Sequence, residues 1–593
     1  MITPPAQPAR TPATRRRRRR WPRSLVALAA VLLATLVHLG RNGYAFGGCS
    51  ERPLALSASS DHSNVLPWVH SYADPALLSG DLSIEMGAGY ATPLWRLIGI
   101  ASRALPLEWL VFAVYLAALT TTHLALFLLA RALGGGAAAG WIATLAFTAV
   151  RTAPAGVETF DPALYTRVAA LPLALGALLL LHERPAATAA GRAAWPRPAA
   201  AIGLLSLAFV VHPLTGVYTA AVAAPLCGAG LRASTTPFRR RLAVLGGVAA
   251  VVLGGAALAA GGAVELGPPT EQWLALQRGN NGMHLFPRLW GEGVWRELGA
   301  HGLFLLAAVL ADRQGGRRRT ALAAIIGGAG LALAGWWAAE SAASKLLLQL
   351  QPFRGFALVL ILALVVAAIR GAGAWPEGGS ARLGAALVAG GLVADQLHLV
   401  VIGFAVLEAR GAGPRRWLSL AAATVVLAWL VAVRAPAVPT TPWSAAPSGG
   451  PVATAPRDWP FLQRPANAWI DVQLWCARHT DRDALILTPP DLEGFRSFSR
   501  RSHVADWKQG TLSLYHDAFG AAWLERMRHL LPRSLHPQPI ANLALNYDAL
   551  TAEEIAAVVA RYGVTHVVVR EPRSLPYRAL YGNGAFRVYA TGR

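Results

Sequence analysis

Two short stretches of the sequence carry acids where acid–base or phosphate chemistry could take place. Asp61 is followed directly by His62, and Glu158 stands three residues before Asp161. A carboxylate in such a place can take a proton from a hydroxyl group, or it can ligate a divalent cation that neutralises a phosphate. The simpler interpretation is that Asp61, or Ser60 before it, caps a helix, and that Asp161 does the same before a proline. The two roles are compatible, because a cap lies at the end of a helix.

Three basic residues could hold a phosphate beside these acids. Arg167 lies two turns after Asp161 on a predicted apolar helix, where an arginine needs a partner such as Asp161, Glu158 or a substrate phosphate. Arg354 stands at the end of another apolar helix, and its planar guanidinium suits a lipid-linked phosphate, although snorkelling to lipid headgroups is its simpler role. Lys345 is one of two lysines in the chain. Together with Arg354 it could form an anion site.

Two long apolar stretches, 198–230 and 383–408, have polar residues near their centres and arginines at both ends. Each must therefore cross a membrane an even number of times, which predicts a tight hairpin of short or tilted helices. His212 would turn the first hairpin and Asp395 the second. Polar side chains at such turns could face a water-filled cavity that is open to the outside. Their simpler role is to satisfy the backbone groups freed at the turn.

Composition indicates what class of protein holds these residues. Of 593 residues, 54% are apolar and 14% are charged, which is too apolar for a soluble protein of several domains. The chain is therefore predicted to cross a membrane many times. The formal charge of +23 could suggest nucleic acid, but the arginines lie in alternate loops and no recognised nucleic-acid module accompanies them. No nucleic-acid partner is expected.

The apolar segments predict a mainly α-helical transmembrane bundle of about 11–13 helices. Besides the two hairpins, segments that can cross lie near 22–40, 107–130, 137–151, 163–181, 242–263, 298–311, 320–338, 355–369 and 417–433. The positive-inside rule places the arginine-rich loops, and the basic N-terminus 1–20, in the cytoplasm. An odd number of crossings of the inner membrane then leaves the C-terminus outside. Asp61, Glu158 and Asp161 all fall in outer loops.

The chain divides into a transmembrane part, 21–434, a linker, 435–455, and a C-terminal part, 456–593. The transmembrane part includes a long first outer loop, 41–106, with amphipathic stretches suited to the membrane interface. The C-terminal part is predicted to be a small extracytoplasmic α/β domain that binds substrate or covers the membrane cavity. Its predicted strands are 484–488, 565–569 and 586–590. Its first predicted helix is 516–531. Its second begins with a capping box at 551 and ends near 562.

These features resemble the GT-C class of polytopic membrane glycosyltransferases. In that class the first helix leads to a long outer loop with an essential acid near its start, a second outer loop often carries another acid, and a soluble domain commonly ends the chain. The matching positions are Asp61 in the first loop and Glu158 or Asp161 in the second, with Arg354 as a candidate for the lipid phosphate.

Short motifs along the chain also resemble a bacterial branch of such proteins. These motifs are Asp74-Pro75, Gly80-Asp81, His212-Pro213, Thr488-Pro489-Pro490 and Gly494-Phe495-Arg496. Many relatives have acidic doublets in their loops, whereas Asp61 is followed here by His62. The resemblance therefore leaves open whether a divalent cation is used.

The resemblance implies an enzyme that moves a hexose or pentose from a polyprenyl-phosphate donor to an envelope glycan, lipid or protein on the outer face of the inner membrane. The alternatives are a flippase or exporter of lipid-linked glycans, and a catalytically silent envelope scaffold. No convincing repeat relates the two halves of the chain, as most transporters would show. The catalytic candidates are Asp61, Asp161 and Glu158, and the substrate-binding candidates are His62, Arg167, His212, Lys345 and Arg354.

Overall fold

The computed structural model describes most of the helices and the C-terminal region. The described residues are 23–41, 61–89, 92–153, 155–161, 163–182, 196–230, 246–247, 268–311, 315–409, 468–533 and 540–592. Among these residues, helices dominate up to residue 409, and the strands lie beyond residue 484 except for one short hairpin.

The apolar region consists of helices joined by short connections. They are α1 (Arg23–Arg41), α2 (His62–Ala73), α3 (Leu82–Glu85), α4 (Pro93–Ala101), α5 (Leu107–Ala132), α6 (Ala137–Phe147), α7 (Thr166–Leu181), α8 (Pro196–Val211), α9 (Pro213–Gly230), α10 (Glu271–Asn280), α11 (Gly282–Leu285), α12 (Glu292–Ala311), α13 (Gly315–Glu340), α14 (Lys345–Gln349), α15 (Phe356–Ala374), α16 (Gly379–Val393) and α17 (Leu397–Glu408). Strands β1 (Thr152–Ala153) and β2 (Val157–Glu158) form an antiparallel hairpin between α6 and α7. A 3₁₀ turn, Pro352–Gly355, leads into α15.

Within the described residues, four helical segments are long and apolar enough to cross a membrane. They are Ser24–Arg41, Leu107–Ala132, Thr320–Glu340 and Lys345–Glu377. On α1 one face is buried at Ala30 and Ala34, while Leu28, Leu32 and Leu36 are half exposed or more. Water would not favour such a row of leucines, whereas lipid would. The protein is a membrane protein with a mainly helical bundle.

Helix α15 lies at the centre of the bundle. Every side chain from Leu358 to Ile369 is buried, and α6, α13 and α16 pack against this helix. A helix that is apolar on all sides must be surrounded by other helices, and this is its arrangement here. Arg354 lies just before the first turn of α15. The position of this candidate residue therefore depends on the most enclosed helix of the described bundle.

Both predicted hairpins are present. Helices α8 and α9 meet at His212. Leu205 on α8 and Ala220 on α9 lie at similar distances from this turn, and both belong to one core cluster. Helices α16 and α17 pack so closely that a Cβ atom on Gly403 would lie 2.7 Å from the carbonyl oxygen of Gly384. The predicted segment 417–433, and nearly all of 242–263, lie outside the described residues.

The C-terminal region is a small α/β unit. Its helices are α18 (Ala468–His479), α19 (Phe495–Ser499), α20 (Asp517–Leu530), α21 (Ile540–Asp548) and α22 (Ala552–Tyr562), and its strands are β3 (Leu485–Leu487), β4 (Ser502–His503), β5 (His566–Arg570), β6 (Arg578–Gly582) and β7 (Phe586–Ala590). The strand order is β4-β3-β5-β7-β6, with β4, β3 and β5 parallel and the remaining pairs antiparallel. The three predicted strands and the Thr551–Glu554 capping box are confirmed.

Candidate active site

The two acidic stretches meet at one arginine. Nη1 of Arg167 donates to Oδ2 of Asp61 at 2.8 Å, while Nε and Nη2 of Arg167 donate to the two oxygens of Asp161 at 2.7 and 2.6 Å. Charge-assisted bonds of this kind are short, and the planar fork of arginine fixes their direction. Arg167 therefore holds the start of α2 against the loop that precedes α7.

Neither aspartate side chain caps a helix. Asp61 occupies the N-cap position of α2, but its side chain makes no capping hydrogen bond, because both oxygens face cations. Asp161 is not the N-cap residue of α7, since Tyr165 has that position. The prediction that these side chains cap helices is therefore wrong for both aspartates. Their carboxylate oxygens contact the cations Arg167 and Lys508 instead.

The C-terminal region contributes a second cation. Nζ of Lys508 lies 3.6 Å from Oδ1 of Asp61. The backbone carbonyl of Lys508 accepts a hydrogen bond from the side-chain amide of Asn64 at 3.1 Å, and the same amide donates to Thr511. Asp61 thus lies between Arg167 and Lys508. Burial opposes ionisation of Asp61, but the charges of Lys508, Arg167 and Arg354 outweigh that effect and hold its pKa well below the usual range.

A small cavity of about 60 Å³ that opens to solvent lies beside the Arg167–Asp161 pair. Its polar wall includes Glu158, Asp161, Arg167, His212 and Arg354, and its deeper wall is apolar and comes from α7, α9 and α15. Asp61 and Lys508 lie beyond Arg167. A cavity with cations at one end and hydrocarbon at the other suits a ligand that has an anionic head and an apolar tail.

Arg354 has unused hydrogen-bonding capacity. Its Nε is buried without a partner among the described residues. The turn that carries Arg354 is fixed from α9, since the hydroxyl of Tyr218 lies 2.8 Å from the carbonyl oxygens of both Leu350 and Gln351. Gln351 has the left-handed value φ 45°, which costs energy for a residue with a side chain. The surrounding contacts thus hold this guanidinium at the wall of the cavity.

Glu158 is the third carboxylate at the cavity. Its Oε2 is buried and has no hydrogen-bond partner among the described residues. Burial and, to a lesser extent, the nearby charge of Asp161 raise the pKa of Glu158 to about 7, although Arg167 opposes the shift. A carboxyl with this pKa can exchange a proton near neutral pH.

The β1–β2 hairpin that carries Glu158 is supported on two sides. Its turn has left-handed backbone at Ala155 and Gly156, and the ring Nδ1 of His284 donates to the carbonyl of Ala155 at 2.6 Å. At the base of the hairpin, Thr159 and Arg151 exchange two hydrogen bonds of 2.8 and 3.0 Å. The position of Glu158 is therefore set by neighbouring elements as well as by its own short strand.

The two histidine candidates have different surroundings. His62 is fully buried, and its Nε2 donates to the carbonyl of Leu164 at 2.8 Å, so its ring joins α2 to the loop before α7. Burial lowers the pKa of His62 to about 4. His212 lines the cavity, and its Nδ1 contacts the hydroxyl and backbone N–H of Thr215 at 2.7 and 3.2 Å. His212 both satisfies a freed backbone group and faces the cavity.

The predicted joint anion site of Lys345 and Arg354 is not formed. The ammonium of Lys345 lies 2.7 Å from both carboxylate oxygens of Asp517, and its side chain is 2% exposed. Lys345 therefore joins α14 to α20 and does not line the cavity. The Asp395 side chain likewise has a partner, the buried Arg151, at 2.7 Å.

The sequence did not predict that Lys508 lies beside Asp61. The chain has only two lysines, and this rarity is the one feature of the sequence that could have drawn attention to Lys508. Both lysines form ion pairs between the helical bundle and the C-terminal region. The structure thus places five of the predicted residues at one cavity: Glu158, Asp161, Arg167, His212 and Arg354. Arg167 links this group to Asp61, which in turn contacts Lys508.

The site does not fit a divalent cation. Within the described residues, no group of three His, Cys, Asp or Glu side chains is arranged to hold a metal ion. Asp61 and Asp161 are occupied by Arg167 and Lys508, and these cations would repel a metal placed between the carboxylates.

Comparison with known proteins gives one short family match. A model of a domain family of unknown function, DUF6798, matches residues 467–530. That segment runs from α18 through Lys508 to the end of α20. No curated protein sequence matches the chain.

Comparison of structures gives long but distant likenesses. The oligosaccharyltransferase of Archaeoglobus fulgidus, in its apo form, is 12% identical with a TM-score of 0.49, covering 93% of this chain and 70% of that one. ArnT from Cupriavidus metallidurans, bound to undecaprenyl phosphate, is 15% identical with a TM-score of 0.43, covering 96% and 97%. A complex of the archaeal enzyme with Zn and sulfate has a TM-score of 0.47 at 12% identity, covering 91% and 68%.

The chain is similar to these solved structures over most of its length, at low identity. At TM-scores below 0.5 this similarity assigns no role to any single residue.

Proposed function

We propose that the protein is an integral-membrane glycosyltransferase that takes a sugar from a polyprenyl-phosphate donor and passes it to an envelope acceptor on the outer face of the inner membrane. The observation that carries this proposal is the cavity where Arg167 and Arg354 face Glu158 and Asp161 at the ends of apolar helices. The cations would hold the phosphate, and the apolar wall would receive the first part of the lipid chain.

Arg354 would be the principal phosphate ligand. Its Nε is without a partner among the described residues, and burial without a partner is costly for a guanidinium. A phosphate oxygen would supply the missing acceptor. Arg167 would stand on the other side of the anion, oriented by its two aspartates.

Asp61 would position charge rather than take a proton. Its oxygens face Arg167 and Lys508 at 2.8 and 3.6 Å, and a carboxylate with a strongly lowered pKa is a weak base. Asp161 would also act through Arg167, because both of its oxygens are engaged there. The general-base role that the sequence suggested for Asp61 is therefore replaced in this proposal.

The proposed outer location rests on the agreement between helix direction and arginine distribution. The starts of α7 and α15, the α8–α9 turn and the β1–β2 hairpin converge on the cavity, and the C-terminal region contacts the same end. In the sequence these ends lie opposite the arginine-rich loops. The positive-inside rule would then place the cavity outside the cytoplasm.

The direct test is binding and turnover of lipid-linked phosphates by the purified full chain. We expect binding of undecaprenyl phosphate, and release of that lipid from a panel of hexosyl and pentosyl donors when envelope lipids are supplied. Arg354→Gln should weaken lipid-phosphate binding by about 10–100-fold, since a hydrogen bond to a charged group contributes about 1.5–3 kcal/mol.

The matched control is Arg288→Gln, which changes a mostly exposed arginine paired with Glu340 outside the cavity. This variant should bind lipid phosphate as the parent chain does. Equal binding by the parent chain and the Arg354→Gln variant would refute the phosphate site. Movement of lipid-linked glycans across sealed vesicles without transfer would show an exporter instead.

A further inference from the structure

Among the three carboxylates of the site, Glu158 differs in its hydrogen bonding. Asp161 meets the Nε and Nη2 of Arg167 with its two oxygens, and Asp61 lies between Arg167 and Lys508. Glu158 lines the cavity with a buried Oε2 that has no hydrogen-bond partner in the described part of the chain. Glu158 is therefore the carboxylate that can receive a hydrogen from a molecule in the cavity without breaking an ion pair.

We infer that Glu158 takes the proton of the acceptor hydroxyl during transfer and keeps it while the lipid phosphate product occupies the cavity. This inference rests on the proposed glycosyl transfer and deepens it by naming the proton acceptor. It also predicts that binding of the phosphate product is linked to proton uptake.

The step conserves atoms and charge. The acceptor oxygen attacks the anomeric carbon of the donor sugar, and the bond between that carbon and the phosphate oxygen breaks with its electron pair remaining on the phosphate. The hydroxyl proton moves to the carboxylate of Glu158. The products are the glycosylated acceptor, the polyprenyl phosphate and a neutral Glu158.

The phosphate itself would promote this transfer. Its charge increases as the bond to the sugar breaks, and a second negative charge close to Glu158 favours the protonated carboxyl. The base would therefore become stronger as the leaving group forms. A carboxylate locked between two cations, such as Asp61, could not respond in this way.

The surroundings of Glu158 contain few other groups that titrate near neutral pH. The charged and titratable side chains around this wall of the cavity are Arg151, Asp161, Arg167, His212, Tyr218, His284 and Arg354. Burial lowers the pKa of His284 to about 3, with a further contribution from Arg354, so this imidazole is neutral at pH 7. Nδ1 of His212 accepts from the N–H of Thr215, which requires that nitrogen to be unprotonated.

The sign of the linkage follows from the charges. In the free protein the pKa of Glu158 is about 7, raised by burial and by Asp161. A bound dianion raises it further, so the protonated form of Glu158 binds the anion more tightly. Affinity is then highest below about pH 7 and falls above it, by up to about tenfold per pH unit.

The test measures anion affinity of the purified full chain between about pH 5.5 and pH 8.5. The probes are undecaprenyl phosphate and inorganic sulfate, because sulfate keeps the same charge over this range whereas a phosphate monoester loses a proton near pH 6. For the parent chain we expect affinity for both probes to fall above pH 7. Glu158→Gln should bind sulfate with a nearly flat pH profile and should be tighter than the parent chain, by about tenfold near pH 8.

Two further variants make the test decisive. Glu158→Asp keeps a titrating carboxyl and should keep a pH-dependent affinity with a displaced midpoint, even if the Gln variant is poorly folded. Glu292→Gln removes an exposed glutamate paired with Arg296 and should reproduce the profile of the parent chain.

The outcomes separate this inference from the proposed function. A Glu158→Gln profile that still falls above pH 7 like that of the parent chain would overturn the proton role of Glu158, while lipid-phosphate binding that depends on Arg354 would still support the transferase. Failure of the parent chain to bind the lipid phosphate would remove the proposed function itself. Tight sulfate binding without lipid-phosphate binding would indicate a site for free oxyanions and would contradict both.

Discussion

Arg167 donates hydrogen bonds to two carboxylates that come from distant parts of the chain. The geometry of its guanidinium explains why an arginine is needed. Three of its nitrogens donate in fixed directions, two to Asp161 and one to Asp61. A lysine ammonium is a compact point charge and cannot reproduce the two parallel bonds to one carboxylate. The role of Arg167 therefore depends on shape as well as charge.

Arg167→Lys should keep the charge of the site but lose its alignment. We expect the free energy of unfolding in detergent to fall by about 1–3 kcal/mol and the affinity for undecaprenyl phosphate to fall about tenfold. Chemical denaturation and equilibrium binding would measure the two effects. Arg561→Lys, at an exposed pair with Glu525, is the control and should change neither quantity measurably. Unchanged lipid binding in the Arg167→Lys variant would contradict the proposed alignment.

The helix α16–α17 hairpin influences the candidate site through Arg151. One nitrogen of Arg151 donates to the carbonyl of Leu392 at 2.5 Å, and another pairs with Asp395, both at the hairpin turn. The backbone of Arg151 in turn holds Thr159, next to Glu158. The close packing of the two helices therefore supports the hairpin that carries Glu158.

Two glycines of this hairpin provide a matched test. A Cβ at Gly403 would lie 2.7 Å from the oxygen of Gly384 and 2.9 Å from the backbone nitrogen of Val388, whereas a Cβ at Gly390 would meet nothing within 4 Å. Gly403→Ala should destabilise the protein by about 1–3 kcal/mol, because backbone atoms must separate.

Gly390→Ala should be neutral or stabilise by up to about 1 kcal/mol, because alanine favours a helix. Denaturation of both variants in the same detergent would measure the difference. If Gly403→Ala were as stable as Gly390→Ala, the close approach of the two helices would be disproved.

The elements were more predictable than the contacts between them. Apolar length and arginine placement predicted α1, α5, α7, α15 and both hairpins, because these features depend on short stretches of sequence. The same features predicted that Arg167 needs a partner, and Asp161 is observed there. Lys508 could not be placed beside Asp61, 447 residues away, because that contact depends on how the C-terminal region packs on the bundle. For the same reason, Lys345 was expected near Arg354 and is found with Asp517 instead.

At the scale of the whole molecule, a buried ion pair joins the C-terminal region to the segment between α1 and α5. Arg496 and Asp81 are both fully buried, with Nη1 of Arg496 2.9 Å from Oδ1 of Asp81. The same nitrogen donates to the hydroxyl of Ser83 at 2.9 Å, and Nη2 donates to the carbonyl of Ser63 at 3.1 Å. Ser63 follows Asp61 closely in the chain. This contact therefore links the docking of the C-terminal region to the position of Asp61 and Lys508.

Arg496→Met should separate these two parts of the molecule. It leaves the carboxylate of Asp81 buried without its partner, and the loss of one member of a buried pair costs about 3–5 kcal/mol. We expect faster proteolysis of the C-terminal region and weaker binding of undecaprenyl phosphate, because Lys508 would no longer be held beside Asp61. Adding Asp81→Asn to Arg496→Met should restore part of the stability, since no buried charge then remains unpaired.

Arg482→Met is the control at the same interface, because Arg482 pairs with Asp74 but is 67% exposed. An exposed pair contributes less than about 1 kcal/mol, so this variant should resist protease and bind lipid phosphate as the parent chain does. If Arg496→Met lost the docked C-terminal region yet bound lipid phosphate normally, the cavity in the helical bundle would be sufficient by itself. The C-terminal region would then have no part in holding the donor, and Lys508 would be excluded from the site.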